Sequence, residues 1–287
     1  MGRRRMDGAA VTRPLVLKLG GELLETAADR VRIAALASAV VAVRPLVMVH
    51  GGGRAIDAEL GRRAIKPQKV EGLRVTDEDT LDTVIAVLGG SANTALVASL
   101  VGAGVRAVGL TGVDAGFGRA RRSAAHRTST GALVDLGFVG DPVDADPGLV
   151  RLLAAHGYVP VIASLGLDAA PSADEDTPSV LNVNADVMAA RVAASLVDCD
   201  LAIAGGTAGV LDANGRSIAL LDDRGIDEVI ASGTATLGMI AKLEACRAAL
   251  AAGVASVRII DGRALDATHG VETAPGTRIA AADAARV

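Results

Sequence analysis

The sequence predicts an α/β fold with a mainly parallel central sheet, flanked by helices on both faces and divided into two lobes. Short runs rich in β-branched residues and leucine alternate with longer Ala-rich segments whose apolar residues recur at helical spacing. The strand runs are continuously apolar, which is typical of parallel strands buried on both faces. The chain has 287 residues, 51% of them hydrophobic and 22% charged, so it can form a large core in about two domains.

The predicted elements follow this alternation in chain order. Strands are predicted at residues 14–19, 45–49, 105–110, 158–163, 200–204 and 257–260. Helices are predicted at residues 27–43, 77–101, 186–196 and 238–252, and Thr76 is the candidate N-cap of the second helix. Residues 64–75 and 116–142 interrupt the alternation and predict hairpin or loop excursions over the sheet edge. The polar segment 169–177 predicts the junction between an N-terminal domain, 1–176, and a C-terminal domain, 177–287.

The composition disfavours several classes of partner. A net charge of −4, with only three aromatic residues and no Trp, disfavours nucleic acid. The two cysteines cannot form a disulfide framework or a four-ligand zinc site, and they predict reduced thiols and a cytoplasmic location. The basic residues 3–5 are followed by no apolar run, so we expect no secretory signal. Apolar runs are interrupted before the roughly 18 to 20 residues that span a bilayer, so we expect no membrane segment.

Two glycine clusters each follow a predicted strand. The first reads K-L-G-G at 18–21, and the second reads H-G-G-G at 50–53. In open α/β sheets ligands bind outside the carboxyl ends of the strands, and consecutive glycines let backbone N–H groups converge on an anion there. Neither cluster matches a Walker A loop or a dinucleotide-binding fingerprint, and either one alone could be a tight turn. Two clusters after successive strands, one of them beside a lysine, favour a phosphate or carboxylate site.

Five short sequence blocks occur in an order that indicates the protein family. They read V-L-K-L-G-G at 16–21, V-H-G-G-G at 49–53, G-L-R-V-T at 72–76, L-N-V-N-A-D at 181–186 and G-M-I-A-K at 238–242. Together they resemble the acetylglutamate kinases of the amino acid kinase family, and the resemblance runs from about residue 14 to residue 279. It implies transfer of a phosphoryl group from ATP to the side-chain carboxylate of N-acetyl-L-glutamate, the second step of arginine biosynthesis. It also implies that the N-terminal domain binds the acyl amino acid and dimerises, while the C-terminal domain binds the nucleotide.

This reaction needs fixed positive charge more than it needs proton transfer. A carboxylate is already ionised at neutral pH, so the nucleophile requires no general base, whereas charge spreads over the moving phosphoryl group. The resemblance implies that Lys18, on the acceptor side, and Lys242, on the ATP side, both contact that group. It implies that Asp186 holds both lysines by charge-assisted hydrogen bonds. From the sequence alone Asp186 could instead simply cap the following helix.

The remaining site residues are likewise implied by the resemblance. Arg74 would grip the α-carboxylate of the substrate with Asn182 as a second donor, although Arg74 alone could also be a surface ion pair. Gly52 and Gly53 would let the acyl amide approach the backbone. On the cofactor side the implied residues are Gly20, Gly21, Gly206, Thr207, Gly209, Leu211, Thr236 and Gly238. Magnesium would travel on the ATP phosphates, so no protein ligand for a metal is expected.

The nucleotide half departs from the family pattern. Gly206 stands where these kinases usually carry an acidic residue, and Ala241 stands where proline is common. Both lysines and Asp186 are retained. We therefore expect weaker or altered nucleotide binding with the chemistry preserved.

The sequence also bears on the oligomeric state, and it leaves open two alternatives to the implied function. The 13 residues before Pro14 carry no helical apolar stripe, so we expect a homodimer formed through the N-terminal domain and no inhibition by arginine. The basic cluster at 119–122 keeps open a kinase for an N-succinyl or carrier-protein-linked glutamate or aminoadipate. The altered nucleotide segment keeps open a catalytically impaired paralogue that only binds acyl-glutamate.

Overall fold

The computed structural model describes residues 13–170 and 179–281. The predicted interdomain junction at 169–177, and with it the boundary at 176/177, lies almost entirely outside the described residues. The helices are α1 (Ala27–Val41), α2 (Gly53–Arg62), α3 (Glu78–Ile85), α4 (Asn93–Gly102), α5 (Gly148–Ala155), α6 (Ala185–Leu196), α7 (Asp223–Ala231) and α8 (Leu237–Ala251).

An eight-stranded sheet forms the centre of the fold. Its strands, from one edge to the other, are β14 (Leu220–Leu221), β16 (Gly276–Ile279), β15 (Ser256–Asp261), β13 (Asp200–Gly205), β1 (Leu15–Leu19), β2 (Leu46–His50), β10 (Val159–Ala163) and β5 (Ala107–Thr111). All neighbours pair in parallel except β15 and β16. The mainly parallel sheet predicted from the continuous apolar strands is therefore confirmed.

Smaller strands lie apart from this sheet. Four of them close into a small barrel, namely β6 (Gly118–Arg122), β9 (Val139–Ala145), β11 (Leu165–Asp168) and β12 (Val180–Val183). Two hairpins complete the set, β3 (Lys69–Val70) with β4 (Leu73–Arg74), and β7 (His126–Arg127) with β8 (Leu133–Val134). The two excursions predicted at 64–75 and 116–142 are thus hairpins and barrel strands.

Both faces of the sheet are covered. Leu15, Leu17 and Leu19 of β1 pack with residues of α1 and α4 in one core cluster. Val16 lies in the other cluster, with residues of α6 and α8. Because side chains alternate along a strand, Lys18 shares the face of Val16 and points towards α6 and α8. Strand alternation thus places this lysine on the side of the sheet where Asp186 lies in the first turn of α6.

Some sequence predictions were wrong at the level of elements. Thr76 is not the N-cap of α3, because the Asp77 side chain accepts the hydrogen bond from the Thr80 N–H, at 2.9 Å. The predicted helix 77–101 contains a π-helical segment, Ala86–Ala92, between α3 and α4. The prediction also missed α2, α5 and α7 and did not foresee the antiparallel strand β16.

By its length and composition alone, the helical stretch Glu78–Gly102 is long and apolar enough to cross a membrane. The interrupted apolar runs of the sequence had predicted no such segment. In the fold, Leu96 and Leu100 lie in the core cluster of β1 and α1, and Val84 and Leu88 lie in a third cluster beneath α2. One face of this stretch therefore packs inside the protein, as in a core helix of similar length and composition.

Candidate active site

A cleft of about 300 Å³ opens at the carboxyl ends of β1 and β2. It is closed on the other sides by the β3–β4 hairpin, the end of β12 and the start of α6. The predicted site residues that line it are Lys18, Gly20, Gly21, Gly52, Gly53, Arg74, Asn182 and Asp186. Segments up to 168 residues apart in sequence thus meet at the edge of the sheet where an α/β fold binds its ligands.

Two lysines converge on Asp186. Lys18 and Asp186 line the cleft, whereas Lys242 is not among the residues that line it. Lys18 Nζ lies 2.7 Å from Asp186 Oδ1. Lys242 Nζ, on α8, donates a hydrogen bond to Asp186 Oδ2 at 2.9 Å. The first contact is an ion pair whose angle does not meet hydrogen-bond geometry, since Oδ1 has no hydrogen-bond partner. All three side chains are almost fully buried.

Burial and charge set the ionisation of this triad. Burial of Asp186 favours its neutral form, but the ammonium groups of Lys18 and Lys242 outweigh burial and lower its pKa to about 2. Burial, together with the neighbouring Lys18, lowers the pKa of Lys242 from its usual value. Asp186 is therefore a carboxylate at neutral pH, and it supplies the negative charge that keeps two cations close together.

Asp186 can contact both lysines because another residue caps α6. The N-cap of the helix is Asn184, whose Oδ1 accepts hydrogen bonds from the N–H of Asp186 at 2.8 Å and of Val187 at 3.4 Å. Asp186 occupies the first turn, where the helix dipole favours negative charge. The alternative in which Asp186 merely caps this helix is therefore wrong.

Arg74 lies at the opposite end of the cleft. Its Nη2 donates to Asp57 Oδ1 at 2.6 Å and to the Gly53 carbonyl at 3.2 Å. Its Nη1 is buried and has no hydrogen-bond partner in the described chain. The side chain is only 8% exposed, so Arg74 is held by an ion pair but is not a surface residue. Half of its planar fork is therefore without an acceptor among the described residues.

Asn182, on β12, stands near this end of the cleft. Its Nδ2 donates a hydrogen bond to Thr76 Oγ1 at 3.1 Å. This bond fixes the orientation of the amide and uses one of its two N–H groups.

The glycine turns approach each other backbone to backbone. A Cβ at Gly21 would lie 2.8 Å from the Gly52 Cα, and a Cβ at Gly52 would lie 2.8 Å from Leu88 Cδ2. Neither position can accept a side chain without displacement of its neighbours. Gly53 has open space around it, so sterics do not require glycine there. Because Gly52 is the N-cap of α2, the unpaired N–H groups of that helix start at the cleft.

Sequence reasoning missed a buried pair behind the second glycine turn. His50 is fully buried; its Nδ1 lies 3.1 Å from the Gly51 carbonyl and its Nε2 lies 3.2 Å from Asn93 Nδ2. Burial lowers the pKa of His50, so the ring is neutral, and an Nδ1–H donor with an Nε2 acceptor satisfies both contacts. His50 was visible in the second block, but only the fold shows its partner.

Of the residues predicted on the nucleotide side, Gly20 and Gly21 line this cleft, whereas the other six do not. Gly206, Thr207, Gly209 and Leu211 follow the carboxyl end of β13, and Thr236 and Gly238 lie at the start of α8. Gly209 has φ +85°, and a Cβ there would lie 2.6 Å from the Thr277 amide nitrogen, so this turn requires glycine. The link to the cleft is Glu22, a residue missed by the sequence analysis, whose Oε1 accepts the Gly206 N–H at 3.0 Å.

Comparison with known protein families decides the classification. The model of the amino acid kinase family matches residues 13–261. The chain belongs to the amino acid kinase family. Among curated members it is similar to acetylglutamate kinase of Solibacter usitatus, 39% identical over 251 residues, 87% of this chain and 91% of that one. It is also similar to acetylglutamate kinase of Halorhodospira halophila, 36% identical over 268 residues, 91% of this chain and 85% of that one.

Solved structures share the fold. The protein smu.665 from Streptococcus mutans aligns with a TM-score of 0.71 and 26% identity, covering 93% of this chain and 98% of that one. An N-acetylglutamate synthase from Neisseria gonorrhoeae, in complex with coenzyme A and L-arginine, aligns with a TM-score of 0.75 and 21% identity. That alignment covers 93% of this chain and 61% of the synthase, and it shows the likeness of fold alone.

Proposed function

We propose that this protein is an acetylglutamate kinase, which transfers the γ-phosphoryl group of ATP to the side-chain carboxylate of N-acetyl-L-glutamate in arginine biosynthesis. The observation that carries the proposal is the convergence of Lys18 and Lys242, from opposite ends of the chain, on buried Asp186. The names of the curated relatives support the same substrate and do not favour a succinyl or carrier-linked acceptor or an impaired paralogue.

The arrangement fits a reaction in which charge must be neutralised. A carboxylate oxygen of the acceptor attacks the γ-phosphorus as the bond to the ADP oxygen breaks, and negative charge spreads over the transferring group. Lys18 and Lys242 lie close enough to share one carboxylate, so they can also flank one phosphoryl group. Asp186, with a pKa of about 2, positions them and is too weak a base to remove a proton at neutral pH.

The other end of the cleft fits an acidic acceptor. The buried Nη1 of Arg74 has no acceptor among the described residues, and we assign it to the α-carboxylate with Asn182, which lines the same cleft. Gly52 and Gly53 would face the acyl amide. Gly21, on the wall next to Lys18, would donate its N–H to the phosphates, whereas Gly20 donates its own N–H to the Ala204 carbonyl at 3.0 Å and would only let the phosphates approach the backbone.

ATP would lie along the carboxyl end of β13 and the start of α8. Gly206, Thr207, Gly209, Leu211, Thr236 and Gly238 are the residues that we assign to its pocket. Magnesium, carried by the nucleotide, would neutralise phosphate charge during transfer. We also place the enzyme in the cytoplasm, as the reduced, buried cysteines Cys199 and Cys246 favour.

A hydroxamate assay for the acyl phosphate tests the function. The wild-type protein, with N-acetyl-L-glutamate and MgATP, should form product, and N-succinyl-glutamate or aminoadipate derivatives should give less. Lys18→Ala should lower kcat by about a hundredfold or more, since it removes one of two charges at the transferring group. Lys66→Ala, at an exposed lysine outside the cleft, is the matched control and should keep full activity. Absence of turnover with the wild type, or an equal effect of both variants, would contradict the proposal.

A further inference from the structure

An arginine occupies the space beside Gly206, the position where the family pattern places an acidic side chain. A Cβ built on Gly206 would lie 3.0 Å from Arg263 Nη2 and 3.4 Å from Arg263 Cζ. Arg263 follows β15, the neighbour of β13 in the sheet, so its guanidinium covers the carboxyl end of β13. A side chain at 206 would point directly at this guanidinium.

The backbone that carries Arg263 is firmly held. The Arg263 N–H donates to Asp261 Oδ1 at 2.9 Å, and the Gly262 N–H donates to the Gly205 carbonyl at 2.8 Å. A Cβ at Gly262 would overlap the side chain of Leu23, so this loop packs closely on the turn after β1. Arg263 is therefore fixed at the same edge of the sheet as Gly20, Gly21 and the start of the cleft.

Arg263 is an uncommitted cation among groups that are already paired. In the described parts of the chain no carboxylate or carbonyl oxygen accepts a hydrogen bond from its guanidinium, and its side chain is exposed. By contrast, Lys18 and Lys242 share Asp186, and Glu22 accepts the N–H of Gly206. The triphosphate of ATP carries several negative charges, and two lysines that already share one carboxylate leave most of that charge without a partner.

We propose that Arg263 binds the phosphates of ATP and that glycine at position 206 leaves its guanidinium free to do so. The inference rests on the proposed kinase function, to which it adds a nucleotide-binding residue. The planar fork of arginine suits bidentate contact with phosphate oxygens. An acidic side chain at 206 would pair with the guanidinium and draw it away from the nucleotide. Gly206 and Arg263 are therefore coupled. Because glycine has no side chain that could pair with the guanidinium, Arg263 can bind phosphate.

The test compares variants by steady-state kinetics and by calorimetric binding of MgADP. Arg263→Ala should raise KM for ATP and Kd for MgADP by about tenfold or more, the usual effect of losing a hydrogen bond to a charged group. Its kcat and its KM for N-acetyl-L-glutamate should stay within about twofold of wild type, and Arg263→Lys should recover part of the loss. Arg224→Ala is the matched control, because this arginine is exposed on α7 and, among the residues that the structure describes, its ion pair is with Glu228.

A second substitution tests the pairing itself. Gly206→Asp should weaken nucleotide binding, and combined with Arg263→Ala it should cost less than the product of the two single effects, because one variant removes the partner of the other. Nucleotide affinity unchanged in Arg263→Ala, or strictly multiplicative effects, would overturn the inference. Thermal unfolding verifies that each variant is folded. If the wild type gave no turnover, the kinase proposal would fail, while MgADP binding would still decide the role of Arg263.

Discussion

At the scale of single residues, the site depends on one ionised carboxylate. Asp186 is buried, and burial alone would favour its protonated form, yet two ammonium groups within 3 Å keep it charged. Removal of one member of such a buried group leaves an uncompensated charge and costs about 3 to 5 kcal/mol. Asp186 therefore contributes to stability as well as to the geometry of the two lysines.

The stability of the protein should report on this carboxylate at acid pH. The pKa of Asp186 is about 2 in the folded protein against a usual value of 3.8. Its ionised form therefore stabilises the fold above the higher pKa, and this contribution, about 2 kcal/mol, is lost as pH falls through the folded pKa. Urea unfolding at several pH values between about 4 and about 2 should show a steeper loss of stability for wild type than for Asp186→Asn.

Asp82→Asn, at an exposed aspartate of α3, is the matched control for that comparison. Its stability should follow that of the wild type across the whole range. Parallel curves for wild type and Asp186→Asn would show that the two lysines do not hold the carboxylate ionised.

At the scale of elements, the π-helical segment Ala86–Ala92 directs a polar side chain into the core. Immediately after it, Asn93 Nδ2 lies 3.2 Å from His50 Nε2 and 3.0 Å from the Val161 carbonyl, so it links β2 and β10. π-helical turns often occur at functional sites because they change the direction of side chains. Here the redirected amide supports the histidine that precedes the second glycine turn.

Asn93→Ala should destabilise the protein and disturb the glycine turn. It leaves the buried Nε2 of His50 without a partner, which costs about 1 to 3 kcal/mol, so the melting temperature should fall by several degrees. Because His50 contacts the Gly51 carbonyl, KM for N-acetyl-L-glutamate should rise as well. Thr94→Ala, at the exposed neighbour, is the control and should change neither quantity. A variant with normal stability and KM would contradict this supporting role.

At the scale of the whole molecule, the face built from α3, the π segment and α4 offers a surface for the predicted homodimer. Its exposed residues include small or apolar side chains, among them Ala86, Ala98 and Val101. It lies next to β5, the edge strand of the central sheet. A second copy that covers this face would remove both an apolar surface and an open sheet edge from water.

Light scattering coupled to gel filtration tests this assembly. The wild type should have the mass of a dimer, and Ala98→Glu should shift it to the monomer by burying a charge in the interface. Ala35→Glu, the same substitution on an exposed position of α1, should leave the dimer intact. A monomeric wild type, or a hexamer, would contradict the prediction. The expected insensitivity to arginine stays a prediction, which the same preparation can test in the kinase assay.

The sequence by itself determined most strands of the central sheet and several of its helices, the mainly parallel order of that sheet, the family, and part of the lining of the cleft, including Lys18, Arg74 and Asp186. These features depend on local spacing or on short blocks such as 181–186, so they can be recognised without coordinates. Even Lys18 could be placed on its strand, because its apolar neighbours mark β1. The departure at Gly206 was likewise visible as a residue out of pattern.

Only the tertiary structure decided which groups are paired. Glu22 and Gly206 are 184 positions apart, and nothing in the local sequence of either predicts their hydrogen bond. The same holds for Arg263 against Gly206 and for Asn93 against His50. Local sequence patterns determine the backbone conformation, whereas the partner of a charged side chain that is buried or lines a cleft depends on how distant segments pack. For that reason the sequence blocks identify the candidate site residues, whereas only the fold shows which of the cationic side chains are already paired with an anion.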